Sequence, residues 1–214
     1  MDSRDDVFAL IAQRIVSQES RRAPLVAVDG VDGAGKTTFA DGLAAFLDRV
    51  GRATVRVSID DFHRPRADRY RRGRDSAEGF YRDSFDLEAL RAAVVDPLRP
   101  GGDGSITPAV FDHRTDTAVV PERIAAGNVV VVVDGVFLQS AALDGAWDLV
   151  VFLDVPFEET FARMAVRDGC PTDPDDPANA RYRDGQLLYL AERDPARRAD
   201  IVVDNTDPRR PAVR

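Results

Sequence analysis

Residues 25–50 read LVAVDGVDGAGKTTFADGLAAFLDRV and decide the fold of this 214-residue chain. Within this stretch, residues 30–37 (GVDGAGKT) match the pattern G-x-x-x-x-G-K-[ST]. A buried-strand pattern precedes the match, and apolar residues at helical spacing follow it. The glycines let the backbone curl so that successive N–H groups point inward, and the following helix adds the positive end of its dipole. The stretch therefore predicts a strand, a phosphate-binding loop and a helix, and with them the binding of a nucleoside triphosphate.

The side chains of this loop, called the P-loop below, have separate predicted roles. Lys36 is expected to reach the β- and γ-phosphates, and the Thr37 hydroxyl to ligate Mg²⁺. Lys36 is the one lysine in the sequence, so any chemistry that needs a lysine must use it. The residues predicted to contact the nucleotide are Gly30, Asp32, Gly33, Ala34, Gly35, Lys36, Thr37 and Thr38.

Strand and helix patterns alternate along the rest of the chain. Further strands are predicted at residues 53–59, 129–134, 149–155 and 201–203, and helices at residues 5–20, 37–50, 86–98, 157–167 and 182–192. This alternation predicts an α/β fold, a three-layer sandwich with an about five-stranded parallel sheet flanked by helices. Residues 60–84 are polar and Arg-rich and are predicted to be irregular. Short β pieces are expected at residues 105–120 and a loop at residues 169–177.

Aspartates follow predicted strands at the carboxyl edge, where ligands bind in open α/β sheets. Asp134 follows the run VVVVV and has the form of a Walker B acid, which holds Mg²⁺ directly or through water. Asp60 and Asp61 end the second predicted strand, which we expect to lie next to the strand before the P-loop. One of the two could accept the proton of an acceptor hydroxyl. Because neighbours in a strand point to opposite faces, only one of them should face the site.

Composition excludes several classes of protein. The formal net charge of −8 argues against non-specific nucleic-acid binding. The single cysteine, Cys170, excludes an intramolecular disulfide and any multi-cysteine zinc or iron–sulfur site. No signal peptide is recognisable, and the longest apolar run, residues 129–133, is too short to span a bilayer. We therefore expect a cytoplasmic protein with no membrane partner.

An ordered series of motifs resembles the uridine kinase branch of the P-loop kinases, which is related to phosphoribulokinase and bacterial pantothenate kinase. The resemblance covers roughly residues 24–208 and rests on VAVDGVDGAGKTTFA (26–40), VSIDDFHR (57–64), YRDSFDLEAL (81–90), PAVFDHRTDT (108–117), VVVVVDGVF (129–137), RMAVRD (163–168) and ADIVVDN (199–205). It implies a single kinase domain over residues 1–214 that uses ATP and Mg²⁺ to phosphorylate a hydroxyl of a small molecule. Uridine or cytidine is the first choice of acceptor, with pantothenate or a sugar as alternatives.

The resemblance also implies roles for individual residues. The family's catalytic aspartate falls on Asp60, which favours Asp60 over Asp61. Residues 60–85 and 105–120 would form the acceptor side, and residues 168–181 a lid. The implied catalytic set is Asp60, Lys36, Arg163 and Arg167; the metal set is Thr37, Asp134 and Asp60; the acceptor set is His113, Phe111, Tyr81, Asp83, His63 and Arg167.

The chain departs from the uridine kinase pattern at a few positions. His63 stands where uridine kinases usually have tyrosine, and Asp134 where they usually have glutamate. The segment at residues 111–114 is shortened, and the lid is rich in proline and aspartate. Most of these departures lie on the acceptor or lid side. They leave phosphoryl transfer intact and the identity of the acceptor open.

Two rival functions are a GTPase switch and a P-loop ATPase that drives a partner. A GTPase reads guanine with an N-K-x-D motif, which needs a second lysine that this sequence lacks. No L-S-G-G-Q signature of a transport ATPase is present either. The sequence thus favours a small-molecule kinase, and it leaves open whether the protein forms a homo-oligomer.

Overall fold

The structure, a computed structural model, describes residues 3–16 and 23–214. Its helices are α1 (Arg4–Val16), α2 (Lys36–Arg49), α3 (Arg66–Arg69), α4 (Ala77–Asp83), α5 (Leu87–Leu90), α6 (Phe157–Asp168), α7 (Ala180–Arg193) and α8 (Pro195–Arg198). Its strands are β1 (Leu25–Gly30), β2 (Thr54–Ser58), β3 (Ser105–Ile106), β4 (Phe111–Asp112), β5 (Thr117–Ala118), β6 (Ile124–Ala125), β7 (Val130–Gly135), β8 (Leu149–Asp154), β9 (Ile201–Asp204) and β10 (Ala212–Val213).

The central sheet has the order β10-β9-β8-β1-β7-β2. The strands from β9 to β2 are parallel, and β10 pairs antiparallel with β9 at the edge. The predicted α/β class and the five predicted parallel strands are confirmed. The edge strand β10 was not predicted, because its two residues are too few to show a periodic pattern.

The expected position of β2 next to β1 is wrong. Strand β7 lies between them: Val28 of β1 and Ser58 of β2 both pair with Asp134 of β7. The Walker B acid therefore stands at the centre of the edge where these strands end, flanked on one side by the start of the P-loop and on the other by the segment that carries Asp60.

Alternate residues of the parallel strands face two apolar cores. Leu25 and Ala27 of β1 face a core that is completed by residues of α4, α5 and α7. Val26 and Val28 face a second core, completed by residues of α1 and α2. All four side chains are fully buried, as expected for a parallel strand covered on both faces. The result is the three-layer arrangement that the sequence predicts.

The prediction that residues 60–84 are irregular is wrong. The segment begins with a 3₁₀ turn (Ile59–Phe62) and includes α3 and α4. Ser76 caps α4 by accepting a hydrogen bond from the backbone N–H of Gly79 at 3.0 Å, and α4 packs its buried rings against α7. A seven-residue helix in an Arg-rich stretch is too short for its apolar period to be recognised.

Two predicted helices differ in detail from the observed ones. The segment predicted at residues 86–98 is helical but changes type, from α5 to a π turn (Arg91–Val95) and then to a 3₁₀ turn (Asp96–Leu98). The helix predicted at residues 5–20 is observed as α1, and residues 17–20 lie outside the described residues. In the part of the chain that is described, no helix is both long and apolar enough to cross a bilayer.

Candidate active site

A cleft of about 780 Å³ opens where β1, β2 and β7 end. Its volume lies in the range of small-molecule and cofactor sites. The P-loop forms one wall, the turn after β2 and the end of β7 form the floor, and the segments after α6 and around α4 form the far side. The lining residues on which the chemistry depends are Asp32, Gly33, Gly35, Lys36, Thr37, Thr38, Asp60, His63, Phe80, Phe85, His113, Asp134, Arg167 and Tyr182.

The P-loop depends on glycine at its closest approach to α6. Gly33 has φ of +75°, and a Cβ atom placed on it would lie 2.4 Å from the carbonyl oxygen of Thr160. Gly35 has φ of +86° and forms the N-cap of α2. L residues with side chains rarely adopt these conformations. The motif glycines are therefore required by backbone conformation and by contact with α6.

The P-loop carries a set of donors that suits an anion. Within residues 3–16 and 23–214, the backbone N–H groups of Gly33, Gly35, Lys36, Thr37 and Thr38 have no hydrogen-bond acceptor. They lie at the N-terminus of the 14-residue helix α2. Unpaired N–H groups at the positive end of a helix are the donors that a phosphate chain requires, so the loop fits a nucleotide polyphosphate.

Lys36 and Thr37 are held in contact with the surrounding loop and strand. The Lys36 ammonium donates to the carbonyl oxygen of Val31 at 2.8 Å. The Thr37 hydroxyl donates to Oδ2 of Asp134 at 2.7 Å. No group of three or more His, Cys, Asp and Glu side chains that could hold a metal occurs among the described residues. A hydroxyl beside one carboxylate suits Mg²⁺, which is commonly bound through one or two carboxylates together with substrate phosphates and water.

Asp60 and Asp61 lie on the 3₁₀ turn, because β2 ends at Ser58. The backbone N–H of Asp60 donates to Oγ of Ser58 at 3.3 Å. The Asp60 side chain is 60% exposed and lines the cleft, whereas Asp61 does not line it. Burial, followed by the neighbouring Asp60 carboxylate, raises the pKa of Asp61. The expectation from strand pleating therefore does not apply, but one acid of the pair does face the cleft.

The only two histidines of the sequence meet on the wall of the cleft beside Asp60. The ring centroids of His63 and His113 are 4.7 Å apart, and the His63 ring is 4.4 Å from that of Phe85. Nδ1 of His63 lies 2.9 Å from the carbonyl oxygen of Asp60. Burial lowers the pKa of His63. The histidines thus form an aromatic wall beside Asp60.

Three residues of the predicted acceptor set do not line the cleft. The Tyr81 ring packs against Phe137, and its hydroxyl reaches Oε1 of Glu192 at 3.5 Å. The Asp83 carboxylate accepts from Nε of Arg72 at 2.7 Å. Phe111 is buried in β4. In this structure these side chains make packing and ion-pair contacts outside the cleft lining.

The two predicted lid arginines differ in their surroundings. Arg163 donates to the carbonyl oxygen of Gly33 at 3.3 Å and to that of Thr206 at 2.8 Å, so it joins the P-loop to the segment after β9. It does not line the cleft. Arg167 does line it, with a side chain that is 63% exposed and paired with Asp168 at 2.7 Å. Gly30 and Ala34, also predicted to contact nucleotide, lie outside the lining.

A buried polar network lies beneath the P-loop. The carboxylate of Asp29 is fully buried and accepts from the Tyr189 hydroxyl at 2.5 Å, from Nε2 of Gln139 at 3.1 Å and from the N–H of Gly30 at 2.8 Å. Burial raises the pKa of Asp29, and these hydrogen bonds oppose the shift. Helix α7 also contacts the loop directly, because Oε1 of Gln186 accepts from the backbone N–H of Asp32. Helix α7 is thus tied to β1 through Tyr189 and to the P-loop through Gln186.

The sequence analysis did not name several residues that line the cleft. Phe80, Phe85 and Tyr182 add aromatic rings to the acceptor side. Phe80 lies within the Arg-rich segment at residues 60–84, Phe85 directly follows it, and Tyr182 lies about 100 residues later. The packing of α4 against α7 brings them together, and no local pattern encodes that packing. A signal for two of them was available, because the segment that the resemblance assigned to the acceptor, residues 60–85, includes Phe80 and Phe85.

The fold and the site together define a P-loop nucleotide-binding protein: a parallel α/β sheet, a complete P-loop and, in the same cleft, an aspartate at the Walker B position. The chain belongs to the Phosphoribulokinase / Uridine kinase family, whose model matches residues 25–170.

Individual relatives agree with this class. A thymidylate kinase of Xylella fastidiosa (strain M12) is 32% identical over 188 residues, covering 85% of this chain and 79% of the relative. The structure of a possible uridine kinase from Bacillus stearothermophilus matches with a TM-score of 0.72 at 25% identity, covering 92% of this chain and 97% of that one. Phosphoribulokinase from Rhodobacter spheroides shares the fold, with a TM-score of 0.60 at 16% identity over 86% of this chain and 70% of that one.

Proposed function

We propose that this kinase transfers the γ-phosphoryl group of ATP to a hydroxyl of a small metabolite, and that the acceptor is a pyrimidine nucleoside, uridine or cytidine. One observation carries the proposal. A single cleft contains the P-loop donors, the Asp134–Thr37 pair and the exposed Asp60 carboxylate, with aromatic rings beside Asp60. The proposed donor and acceptor sites therefore share one cleft.

On the donor side, the unpaired N–H groups of the P-loop and the Lys36 ammonium bind the phosphates. Thr37 and Asp134 would hold Mg²⁺, with Asp60 near it. Bound Mg²⁺ supplies positive charge that neutralises the charge developing on the transferred group. Arg167 adds a guanidinium at the cleft surface. Arg163 acts as a positioning residue, because it holds the P-loop through a hydrogen bond to the carbonyl oxygen of Gly33.

On the acceptor side, Asp60 receives the proton of the acceptor hydroxyl. The hydroxyl oxygen bonds to the γ-phosphorus while the bond from that phosphorus to the bridging oxygen of ADP breaks. The exposed Asp60 carboxylate lines the cleft, so it can contact the hydroxyl of an acceptor bound there. Because there is little covalent chemistry for the protein to perform, catalysis consists mainly of positioning and electrostatic stabilisation.

The aromatic lining supports a planar acceptor. Phe80, Phe85 and Tyr182, together with the two histidines, offer ring faces and edges to a nucleobase.

We assign residues 60–85 and 105–120 to the acceptor side and residues 168–181 to the lid of a single kinase domain. Similarity to a possible uridine kinase over nearly the whole chain supports the same choice.

A second candidate acceptor is a pyrimidine nucleotide. It is favoured by one observation, the 32% identity to a thymidylate kinase. Pantothenate and sugars are the remaining alternatives within small-molecule kinases, and an ATPase or nucleotide switch without an acceptor is the alternative of another class.

The test is a panel of acceptors. Purified protein is incubated with Mg²⁺ and ATP, and ADP release is followed with uridine, cytidine, thymidylate, pantothenate and several sugars. We expect uridine or cytidine to raise ADP release at least about tenfold above the basal rate, because a positioned base contributes about 10²–10⁴-fold. A larger response to thymidylate would select the second candidate. Basal ADP release with every acceptor would contradict the kinase assignment to these substrates.

A further inference from the structure

Arg56, in the strand β2, contacts the Walker B acid. Its Nη2 atom lies 2.8 Å from Oδ1 of Asp134, its Nη1 atom donates to the carbonyl oxygen of Val132 at 3.1 Å, and its Nε atom lies 3.1 Å from Oδ1 of Asp41. The side chain of Arg56 is 24% exposed, whereas that of Asp134 is 3% exposed. Three contacts thus fix the position of the Arg56 guanidinium beside the end of β7.

The two oxygens of Asp134 have different partners. Oδ1 is occupied by Arg56, and Oδ2 accepts from the Thr37 hydroxyl at 2.7 Å. These two hydrogen bonds together fix the rotation of the carboxylate about its Cβ–Cγ bond. The side of the Asp134 carboxylate that carries Oδ2, next to Thr37, is therefore the one left for a cation. The side that carries Oδ1 is held by Arg56.

The chemistry of arginine suits this task. A planar guanidinium keeps several donors in a fixed fork, so it can hold a carboxylate and a backbone carbonyl at the same time. Asp41 lies on the other side of the guanidinium and offsets part of its positive charge. A buried carboxylate without such a partner would lose both orientation and charge compensation.

We propose that Arg56 is a positioning residue for the metal site: it holds Asp134 in the orientation that binds Mg²⁺ together with Thr37. The inference rests on the proposed function, in which Thr37 and Asp134 hold the metal. Outer partners of metal ligands are worth about 10–100-fold in metal affinity when they are removed. Arg56 should therefore set the affinity for the metal and leave the metal-free contacts of the nucleotide unchanged.

The test measures ADP affinity by calorimetry with Mg²⁺ and, separately, with excess EDTA. The ratio of the two dissociation constants gives the gain that Mg²⁺ provides, and it needs no turnover. Arg56→Met removes the charge and the fork, and Arg56→Lys keeps the charge and loses the fork. Arg49→Met is the matched control, because Arg49 forms an exposed pair with Asp5 on the surface. Asp134→Asn shows whether the assay detects the metal site.

We expect the Mg²⁺-dependent gain to fall at least about tenfold in Arg56→Met and Asp134→Asn, and by less in Arg56→Lys. The gain should be unchanged in Arg49→Met, and ADP affinity in EDTA unchanged in all variants. A wild-type gain in Arg56→Met, with loss in Asp134→Asn, overturns the role of Arg56 alone. A wild-type gain in Asp134→Asn overturns the proposed metal site and this inference with it. Should Arg56→Met not fold, Arg56→Lys decides, and a wild-type gain there overturns the proposal.

Discussion

Carboxylates near the P-loop lie in sharply different surroundings. Asp29 is fully buried with three donors, and Asp134 is buried between a guanidinium and a hydroxyl. Asp60 is exposed and lines the cleft, and Asp61 does not line it. The buried carboxylates have fixed partners, which suits support and metal binding, whereas an exposed one is free to meet a substrate proton. Residue type alone would not separate these roles among 30 aspartates.

His63 provides a prediction about pH. Burial lowers its pKa from the usual value of 6.5, although the carbonyl and carboxylate of Asp60 oppose the shift and His113 and Arg69 reinforce it. His63 is therefore neutral at pH 7 in the folded protein. Below pH 6.5 the unfolded chain protonates His63 more readily than the folded chain does. The free energy of unfolding therefore decreases as the pH is lowered from 6.5 to the folded pKa of His63, and this contribution is lost below that pKa.

The two histidines make a proton NMR titration simple to interpret. We expect one histidine resonance to titrate with a midpoint below 6.5 and to be the one missing from His63→Asn. The same variant should lose stability less steeply than the wild type as the pH falls from 7 to 5. A midpoint at or above 6.5 for the resonance removed by His63→Asn would refute the buried, neutral state of this side chain.

Helix α7 connects the parts of the site at the scale of secondary-structure elements. It packs against α4, which carries Phe80, and it bonds to the P-loop through Gln186 and to Asp29 of β1 through Tyr189. The loop is thus held from outside as well as by its own glycines. Arg163 of α6 adds a third connection, from the loop to the segment after β9.

Tyr189→Phe tests the connection between α7 and β1. The change removes the hydroxyl that donates to the buried Asp29 carboxylate and accepts from the backbone N–H of Gln139 at 3.1 Å. Because a buried group left without its partner bears a desolvation cost, the free energy of unfolding should fall by about 1–3 kcal/mol. Guanidinium denaturation measures this loss.

Tyr70→Phe is the matched control for that measurement. The Tyr70 ring lies against the guanidinium groups of Arg74 and Arg181, and its hydroxyl has no hydrogen-bond partner within the described residues. Its removal should change stability by less than about 0.5 kcal/mol. Equal effects of the two substitutions would show that the hydroxyl of Tyr189 contributes nothing specific.

Elements with long apolar runs could be predicted from the sequence, and short or composite ones could not. The runs that became β1 and β7 are buried along their whole length, and the run that became β8 is buried along most of it, so all three leave a continuous apolar pattern. Helix α4 was missed because it has only seven residues, three of which are charged. The order of strands was partly wrong because β7 enters between β1 and β2 only through long-range crossovers, which no local pattern specifies.

The same division holds for the site. The P-loop, the pair Asp60 and Asp61, and Asp134 could be named because each lies at a strand end or in a contiguous motif, whereas the choice of Asp60 over Asp61 came from the family resemblance. The contact of Arg56 with Asp134 could not, since 78 residues separate the partners. Tyr81, Asp83 and Phe111 were assigned to the acceptor from family motifs, but their side chains point into packing contacts instead of the cleft.

At the scale of the whole molecule, the cleft is where the parts of the chain converge. The P-loop comes from residues 30–37, the turn with Asp60 from the end of β2, the Walker B acid from β7, and the far wall from the segments after α6 and around α4. The parallel sheet brings the three strand ends to one edge, which is the general reason that ligands bind there. Phosphoryl transfer then requires one acid at that edge to face the acceptor.

The most direct test of this conclusion compares Asp60→Asn with its neighbour Asp61→Asn. With an acceptor found by the panel, Asp60→Asn should lower kcat by about 10²–10⁴-fold, and ATP affinity should stay within about threefold of the wild type. Asp61→Asn should keep kcat within about tenfold of the wild type, because its carboxyl does not line the cleft. Equal loss of kcat in the two variants, or a loss of ATP binding in Asp60→Asn as large as its loss of transfer, would contradict the assignment of Asp60 as the proton acceptor.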